Sequence, residues 1–242
     1  VFIENYRQGV PERLEMDYDS LKKINPELIY ASGTGYGPLG PDSAKPSLDG
    51  CGQARSGLMM SATQQSQTEP SYVAGAVSDQ MGGIVLCLGV ISALYAREQS
   101  GVGQRVDVSH LSSTMWLQGL AVSMQLLSGY HYRSTDRKNP LNPLVNAYEC
   151  ADGRWIQFMS AQFQRYWPDF ATALGISDLI DDPIVGDIKG MAAGSPELTK
   201  IIADRFKTKA VDEWIDIFNQ YEDLIFAKVQ SVEELETDPQ VI

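Results

Sequence analysis

The sequence predicts an α/β layer structure in two parts: an incomplete large domain with a parallel sheet over residues 1–139, and a smaller α+β domain over 140–242. Three observations predict it. Strand-like and helix-like segments alternate through the first half, the pattern that buries a sheet under helices. The composition then shifts to a polar linker near 130–145, with Arg133, Asp136, Arg137, Lys138, Pro140 and Pro143 close together. Beyond it, Asp152-Gly153 stands between two short apolar segments, a hairpin signal.

In chain order, Val1-Phe2-Ile3-Glu4 reads as the end of a strand, with no Met and no element before it. The other end, 238–242, stops without a polar tail, so both ends are expected to be cuts in a longer protein. Residues 17–25 read as a short helix with Leu21 and Ile24 on one face and Pro26 stopping it. A strand is predicted over 28–32 and a Gly- and Pro-rich loop over 32–46. The segment 47–60 reads as a helix weakened by glycines, followed by a polar loop to Pro70. A long helix is predicted over 79–99, with Asp79 as N-cap and Gly101 beyond its end. Val106 and Val108 alternate with polar residues, so 103–109 reads as a strand. A second long apolar helix, 110–128, is closed by Gly129. In the smaller domain, 146–150 and 154–160 form the hairpin. Helices follow near 166–174, 195–206 (Ser195 as cap, Pro196 at the first position) and 211–221. Ser231 and Glu234 have the spacing of a capping box for a last short helix.

Over 242 residues the formal net charge is −12, which argues against nucleic acid or an anionic membrane as the main partner, since both need basic patches. A polyanionic small ligand remains open, because a few local Arg or Lys residues suffice for it. Cys51, Cys87 and Cys150 are odd in number and widely spaced, which suits buried thiols in a reducing compartment. With only His110 and His131 besides, no metal site is expected. The apolar stretch 81–96 is interrupted by Gly82, Gly83, Gly89 and Ser92 and reads as a buried core helix too short to span a bilayer. No targeting segment is visible, and a cytoplasmic location is expected.

Several segments contain chemistry-bearing residues. The run Gly33-Thr34-Gly35-Tyr36-Gly37-Pro38-Leu39-Gly40-Pro41 follows a strand, as phosphate-cradling loops do, but lacks the spacing of a dinucleotide or P-loop motif and reads as a mobile surface loop. Asp107, Ser109 and His110 are triad residue types, yet residues so close on one strand end point apart. Asp79 opens a helix, where free backbone N–H groups and the helix dipole favour an ionised carboxylate. Gly82 and Gly83 would let a substrate approach the backbone and its N–H donors. Asp79 is therefore either a carboxylate nucleophile or a plain N-cap. Arg7, Arg13, Lys22 and Lys23 could contact phosphates or simply cover solvated faces.

Together these segments resemble the class III CoA-transferases, the formyl-CoA/carnitine (CaiB/BaiF-like) type. The opening Glu4-Asn5-Tyr6-Arg7-Gln8-Gly9 is similar to the family's E-N-F/Y-R-P-G, with Gln8 in place of Pro. Asn25-Pro26 and then Ile29-Tyr30-Ala31-Ser32-Gly33-Thr34-Gly35-Tyr36-Gly37 resemble its N-P-x-L-I-x-x-S-x-x-G-F/Y-G block. The stretch 75–79 followed by Gly82-Gly83 resembles the surroundings of its nucleophilic Asp. Arg97 and Gly101-Val102-Gly103-Gln104-Arg105-Val106-Asp107-Val108-Ser109 match its R-x-x-T-G-x-G-Q-x-V-D-V-S signature. Tyr148, Asp152-Gly153-Arg154-Trp155-Ile156 and Trp167 through Leu174-Gly175 resemble the start of its small domain.

The resemblance implies a Rossmann-like large domain and CoA transfer between carboxylic acids through an aspartyl anhydride and an aspartyl-CoA thioester on Asp79. It implies CoA contacts at Asn5, Tyr6, Arg7 and Arg13 and again at Lys45, Pro46, Ser47 and Leu48. It also implies a CoA thioester as substrate, no permanently bound cofactor, a carboxylic acid as second partner, and an interlocked homodimer. Ser160-Ala161-Gln162-Phe163 stands where several members have a glycine-rich loop, so that loop's role does not carry over. Two rival readings are an α-methylacyl-CoA racemase and a non-catalytic CoA-binding module. The racemase needs a His-Asp pair where Leu48-Asp49 stands, and neither histidine of this chain is an obvious substitute because both follow Asp79 in sequence.

Overall fold

A computed structural model describes residues 1–185 and 188–242, with side chains outside 186–195. The chain falls into two compact units, Val1–Ser134 and Thr135–Ile242, dividing inside the polar linker a few residues before the expected boundary. The elements in order are β1 (Phe2–Glu4), α1 (Val10–Arg13), α2 (Tyr18–Ile24), β2 (Tyr30–Thr34), α3 (Asp49–Ser56), α4 (Leu58–Ala62), α5 (Val77–Ser100), β3 (Arg105–Ser109), α6 (His110–Leu117) and α7 (Gly119–Ser128). The second unit adds β4 (Ala147–Glu149), β5 (Trp155–Phe158), α8 (Phe163–Leu174), α9 (Ile188–Phe206), α10 (Val211–Phe218) and β6 (Phe226–Lys228).

In the first unit β1, β2 and β3 form a parallel sheet in that order, with Phe2 opposite Tyr30 and Thr34 opposite Ser109. Ile29, Tyr30 and Ala31 are fully buried where α5 covers β2 and β3. Parallel strands buried in this way read as apolar runs, and β2 obeys that rule two residues later than the predicted strand. The α2 cap is local: Asp17 accepts from Ser20 N at 3.1 Å. Ile24 at its end is 82% exposed.

Four expectations fail here, each for a physical reason. Asp79 is not the N-cap of its helix. Helix α5 begins at Val77 after Ala76, which is left-handed at φ 53°, so Asp79 is the third helical residue. The capping acceptor is the carboxylate of Asp49 on α3 instead. Nor is α5 a buried core helix: of its residues only Ser78 and Ala93 are buried, since the short strands β2 and β3 with α3 and α6 cover one side of a 24-residue cylinder. At that length it is also long and apolar enough to cross a membrane by length and composition, against the shorter span expected. The helix expected over 110–128 is two helices broken at Gln118, whose amide donates to Ser56 O and accepts from Ser61 Oγ, both at 2.7 Å. Cys51 and Cys87 are exposed, and only Cys150 is a buried thiol, with burial raising its pKa to about 11.

In the second unit β4, β5 and β6 form an antiparallel sheet. The hairpin turns at Asp152-Gly153, where Asp152 accepts from the backbone N–H of Arg154 and of Val211, both at 3.1 Å, so one carboxylate serves the turn and the start of α10. Phe158 meets Phe218 and Phe170 at ring-centroid distances of 4.9 and 5.0 Å, and Trp214 donates to Phe206 O. The expected start at Pro196 is corrected: α9 begins at Ile188, Met191, Ala192 and Ala193 being good helix formers, and Pro196 lies inside it. The Ser195 side-chain cap lies outside the described residues. Glu234 accepts from Ser231 N at 2.8 Å as the capping box requires, although the turn it opens is a 3-10 helix, Glu233–Thr237.

Candidate active site

Parallel strands that run the same way end on the same edge, and ligands of open α/β sheets bind beyond those carboxyl ends. Here a cleft of about 830 Å³ opens at that edge, lined by Asn5 after β1, by Gly33, Thr34 and Gly35 at the end of β2, and by Val108, Ser109 and His110 at the end of β3. The first turns of α5 form its wall.

Two carboxylates meet at the N-terminus of α5, with different surroundings. Asp49 is buried and accepts from Ser78 N at 2.7 Å and, at a longer 3.4 Å, from Asp79 N. Its other oxygen accepts from the Tyr72 hydroxyl and the Gln53 amide, both at 2.8 Å. Burial pushes the Asp49 carboxyl up, but these donors, Tyr72 and Gln53 first, outweigh it and hold the group below the usual carboxylate range. The same bond raises the Tyr72 hydroxyl. Asp79 instead turns a side chain 52% exposed toward the cleft. Its Oδ1 lies 2.9 Å from Nε2 of His110, whose Nδ1 lies 3.2 Å from Ser47 Oγ.

Backbone packing makes this cluster possible. A Cβ on Gly35 would lie 2.2 Å from Cβ of Ser47, and one on Gly52 would lie 2.7 Å from Cβ of His110 and 2.8 Å from Ser78 Oγ. Gly83 has open space beside it, which leaves the helix backbone accessible from the cleft next to Asp79.

Of the residues expected at the site, Asn5, Tyr6, Arg7, Lys45, Pro46, Ser47, Leu48, Asp79, Gly82 and Gly83 line the cleft. Arg13 does not. The chain turns at Gly9, left-handed at φ 82°, and Arg13 ends α1 exposed to solvent. Lys22 lies over the Tyr18 ring on α2 and is likewise no part of the cleft. The glycine run is split: Gly33 and Thr34 belong to β2 and Gly35 lines the cleft, so only its later residues are a surface loop. The triad types do point apart, since Asp107 pairs with Arg105 at 2.8 Å, Ser109 caps α6 by accepting from Ser112 N, and His110 turns to Asp79.

His110 is the residue the sequence reading missed: set aside as a substitute for the racemase histidine because it follows Asp79 in sequence, it lies within hydrogen-bond range of the Asp79 carboxylate. The argument from chain order overlooked the topology. Helix α5 starts at the carboxyl end of β2, and α6 starts at the carboxyl end of its parallel neighbour β3. The first residues of both helices therefore share one sheet edge, a consequence of the strand–helix alternation that was itself legible.

A cleft at the carboxyl edge of a parallel sheet, lined by a helix-borne carboxylate and by Arg7 and Lys45, defines an α/β protein equipped for an anionic small ligand. The family model for CoA-transferase family III matches residues 1–242, and the chain belongs to that family. It is 30% identical over 240 residues to the (R)-2-hydroxy-4-methylpentanoate CoA-transferase of Clostridioides difficile, covering 99% of this chain and 59% of the relative. It is 31% identical over 245 residues to the cinnamoyl-CoA:phenyllactate CoA-transferase of Clostridium sporogenes, covering 99% of this chain and 58% of the relative. The crystal structure of a CAIB/BAIF family protein from Brucella suis superposes with a TM-score of 0.82 at 26% identity, covering 99% of this chain and 62% of that one. The chain thus spans about three-fifths of the length of the relatives it matches.

Proposed function

We propose that the protein moves coenzyme A between carboxylic acids, with Asp79 as the covalent nucleophile. The observation that carries this reading is the Asp79 carboxylate standing half-exposed in a cleft it shares with Arg7 and Lys45 and with the open backbone at Gly83. The chemistry balances with these parts. An oxygen of Asp79 attacks the carbonyl carbon of an acyl-CoA, the C–S bond breaks, and CoA leaves as thiolate. The thiolate attacks the aspartyl carbon of the mixed anhydride, forming the aspartyl-CoA thioester and releasing the first acid. An incoming carboxylate repeats the two steps in reverse order. Arg7, Lys45 and the neighbouring Asn5, Tyr6, Pro46, Ser47 and Leu48 would hold the CoA moiety, which enters as substrate and not as resident cofactor. The two relatives named above, both CoA-transferases, support the same class of reaction. An isomerase reading needs a histidine where Leu48 stands and is not favoured.

A donor–acceptor screen of the complete protein over acyl-CoAs and carboxylic acids identifies a working pair. With that pair, Asp79→Asn and Asp79→Ala are expected to lower transfer by at least about 10³-fold while CoA still binds, since neither removes a phosphate contact. Hydroxylamine added during turnover of the wild type should mark Asp79 in a peptide map. Normal turnover by the Asn variant, with deamidation excluded by mass, sinks the assignment.

A further inference from the structure

We propose that His110 is a second catalytic residue of this site, its Nε2–H serving as the oxyanion donor for attack on the carboxyl carbon of Asp79. The inference rests on the reading of Asp79 as a covalent nucleophile and adds a role that reading does not require.

The geometry begins with the ring's two anchors. Nε2 lies 2.9 Å from Oδ1 of Asp79, within hydrogen-bond range, and Nδ1 lies 3.2 Å from Ser47 Oγ. Ser47 Oγ in turn lies 3.3 Å from the Leu48 carbonyl. When the ring is neutral, the Ser47 hydroxyl donates to Nδ1 and the proton sits on Nε2. When the ring is charged, Nδ1–H donates to Ser47, whose hydroxyl donates onward to Leu48 O. Both states present Nε2–H to Asp79 and leave no polar atom of the ring unpaired. The ring is also held by packing, since the backbone at Gly52 closes on its Cβ and Gly82 lies beside Cδ2. A donor fixed in this way needs no reorganisation when charge appears in front of it.

Following Oδ1 through the reaction shows when that charge appears. In the first step the other oxygen of Asp79 attacks, and Oδ1 passes from carboxylate oxygen to the carbonyl oxygen of the aspartyl anhydride. In the second, CoA thiolate adds to the aspartyl carbon and the π electrons move onto Oδ1, so the tetrahedral adduct carries its negative charge against Nε2–H. Collapse restores the carbonyl and expels the first carboxylate. In the third step the incoming carboxylate adds to the aspartyl thioester, Oδ1 again takes the charge, and thiolate leaves. In the last step the thiolate attacks the new acyl carbon and Asp79 departs as carboxylate. The donor therefore acts mainly in the two middle steps, at the aspartyl carbon. Without it the anhydride persists, and water that attacks it gives free acid and free thiol in place of transfer.

The test uses the complete protein and the pair found by the screen, with thiol release and transfer product measured separately. His110→Ala is expected to lower kcat for transfer on the order of 10²-fold, leaving KM for the acyl-CoA within about threefold. The ratio of thiol released to CoA transferred should rise, and His110→Gln, whose amide can donate from a similar distance, should recover much of the loss. Transfer by His110→Ala at the wild-type rate overturns the proposal. So does a loss in which thiol release and transfer fall together, KM rises and Gln gives no rescue, because that is the signature of packing alone. Should the Ala variant fail to fold, the Gln variant carries the same comparison. Asp79→Asn separates the two readings: an active Asn variant removes the nucleophile, whereas an inactive one beside an unimpaired His110→Ala removes only the role of the histidine.

Discussion

The two units of this chain are held together by different kinds of interior. In Thr135–Ile242 the buried side chains are chiefly large and apolar: Phe158, Phe170, Phe206 and Phe218 stack and tilt against one another, with Trp214, Ile156, Leu198 and Ile202 around them. In Val1–Ser134 the buried apolar side chains among the described residues are Pro11, Ile29, Tyr30, Ala31, Ala93 and Val108, and buried polar groups outnumber them. Four of those polar groups are joined around the start of α5: Asp49 to the Gln53 amide and the Ser78 N–H, and the Thr114 hydroxyl to Ser78 Oγ at 2.8 Å, with the exposed Tyr72 donating to Asp49 as well. A hydrogen-bonded interior fixes directions, which a reacting carboxylate needs, while an aromatic interior supplies area removed from water. The same unit leaves Ile84, Leu88, Ile91 and Tyr95 exposed along α5, a stripe at helical spacing. Trp116, Leu120 and Leu127 are also exposed on α6 and α7.

The sharpest test of the contrast is Phe158→Ala, which removes a ring that touches four other aromatic rings in the packed unit. It should cost about 3–5 kcal/mol, read by urea unfolding with tryptophan fluorescence, since Trp155, Trp167 and Trp214 all lie in that unit. A cost below about 1 kcal/mol would break the comparison. The next effect concerns Asp49. Asp49→Ala leaves the Tyr72, Gln53 and Ser78 donors without their acceptor and should cost about 1–3 kcal/mol. Because the folded Asp49 carboxyl titrates below its unfolded value of about 3.9, its stabilisation is complete above that pH and is lost as pH falls through the lower folded value. Circular dichroism across an acid titration should show a part of the loss below about pH 4 that disappears in Asp49→Asn; identical profiles would remove Asp49 from the account. The smallest effect is Leu88→Ala on the exposed stripe, expected to change stability by less than about 0.5 kcal/mol. A core-like cost of about 2–5 kcal/mol in the same urea experiment would mean that this face is covered in solution.

Local pattern carried much of the fold. Alternation at Val106 and Val108 marked β3, Gly101 and Gly129 marked helix ends, and Asp152-Gly153 marked the hairpin. What local pattern lacked was supplied from elsewhere in the chain. The N-terminus of α5 is capped by a residue on α3, so no signal next to Val77 could mark it, and Asp79 was assigned one role too many. Strand β6 is three residues long and exists because β5 offers it a partner. The apolar stretch within α5 and the Gly101 that ends it predicted a helix correctly, but apolar content states what could be buried and not whether anything covers it. At the site, most of the cleft residues came from the family resemblance. Arg13 was carried along with its neighbours although a left-handed Gly9 takes the chain away from the cleft, and His110 was set aside by sequence order that parallel pairing overrides.

The close approaches at Gly35 and Gly52 bear on how this protein could change over time. Ser47 holds one side of the His110 ring, and its Cβ fills the volume where a side chain at position 35 would begin. The His110 Cβ itself fills the corresponding volume at position 52. A single replacement at either glycine would be transmitted through Ser47 or His110 to Asp79, although neither glycine bonds to the carboxylate. Drift at this site is therefore a matter of linked positions: 35 can accept bulk only in step with 47, and 52 only in step with 110 and 78. A side chain that lines the cleft without such a close approach, such as the 80% exposed Leu48, is under no such coupling, which leaves it as freer ground on which ligand preference can diversify.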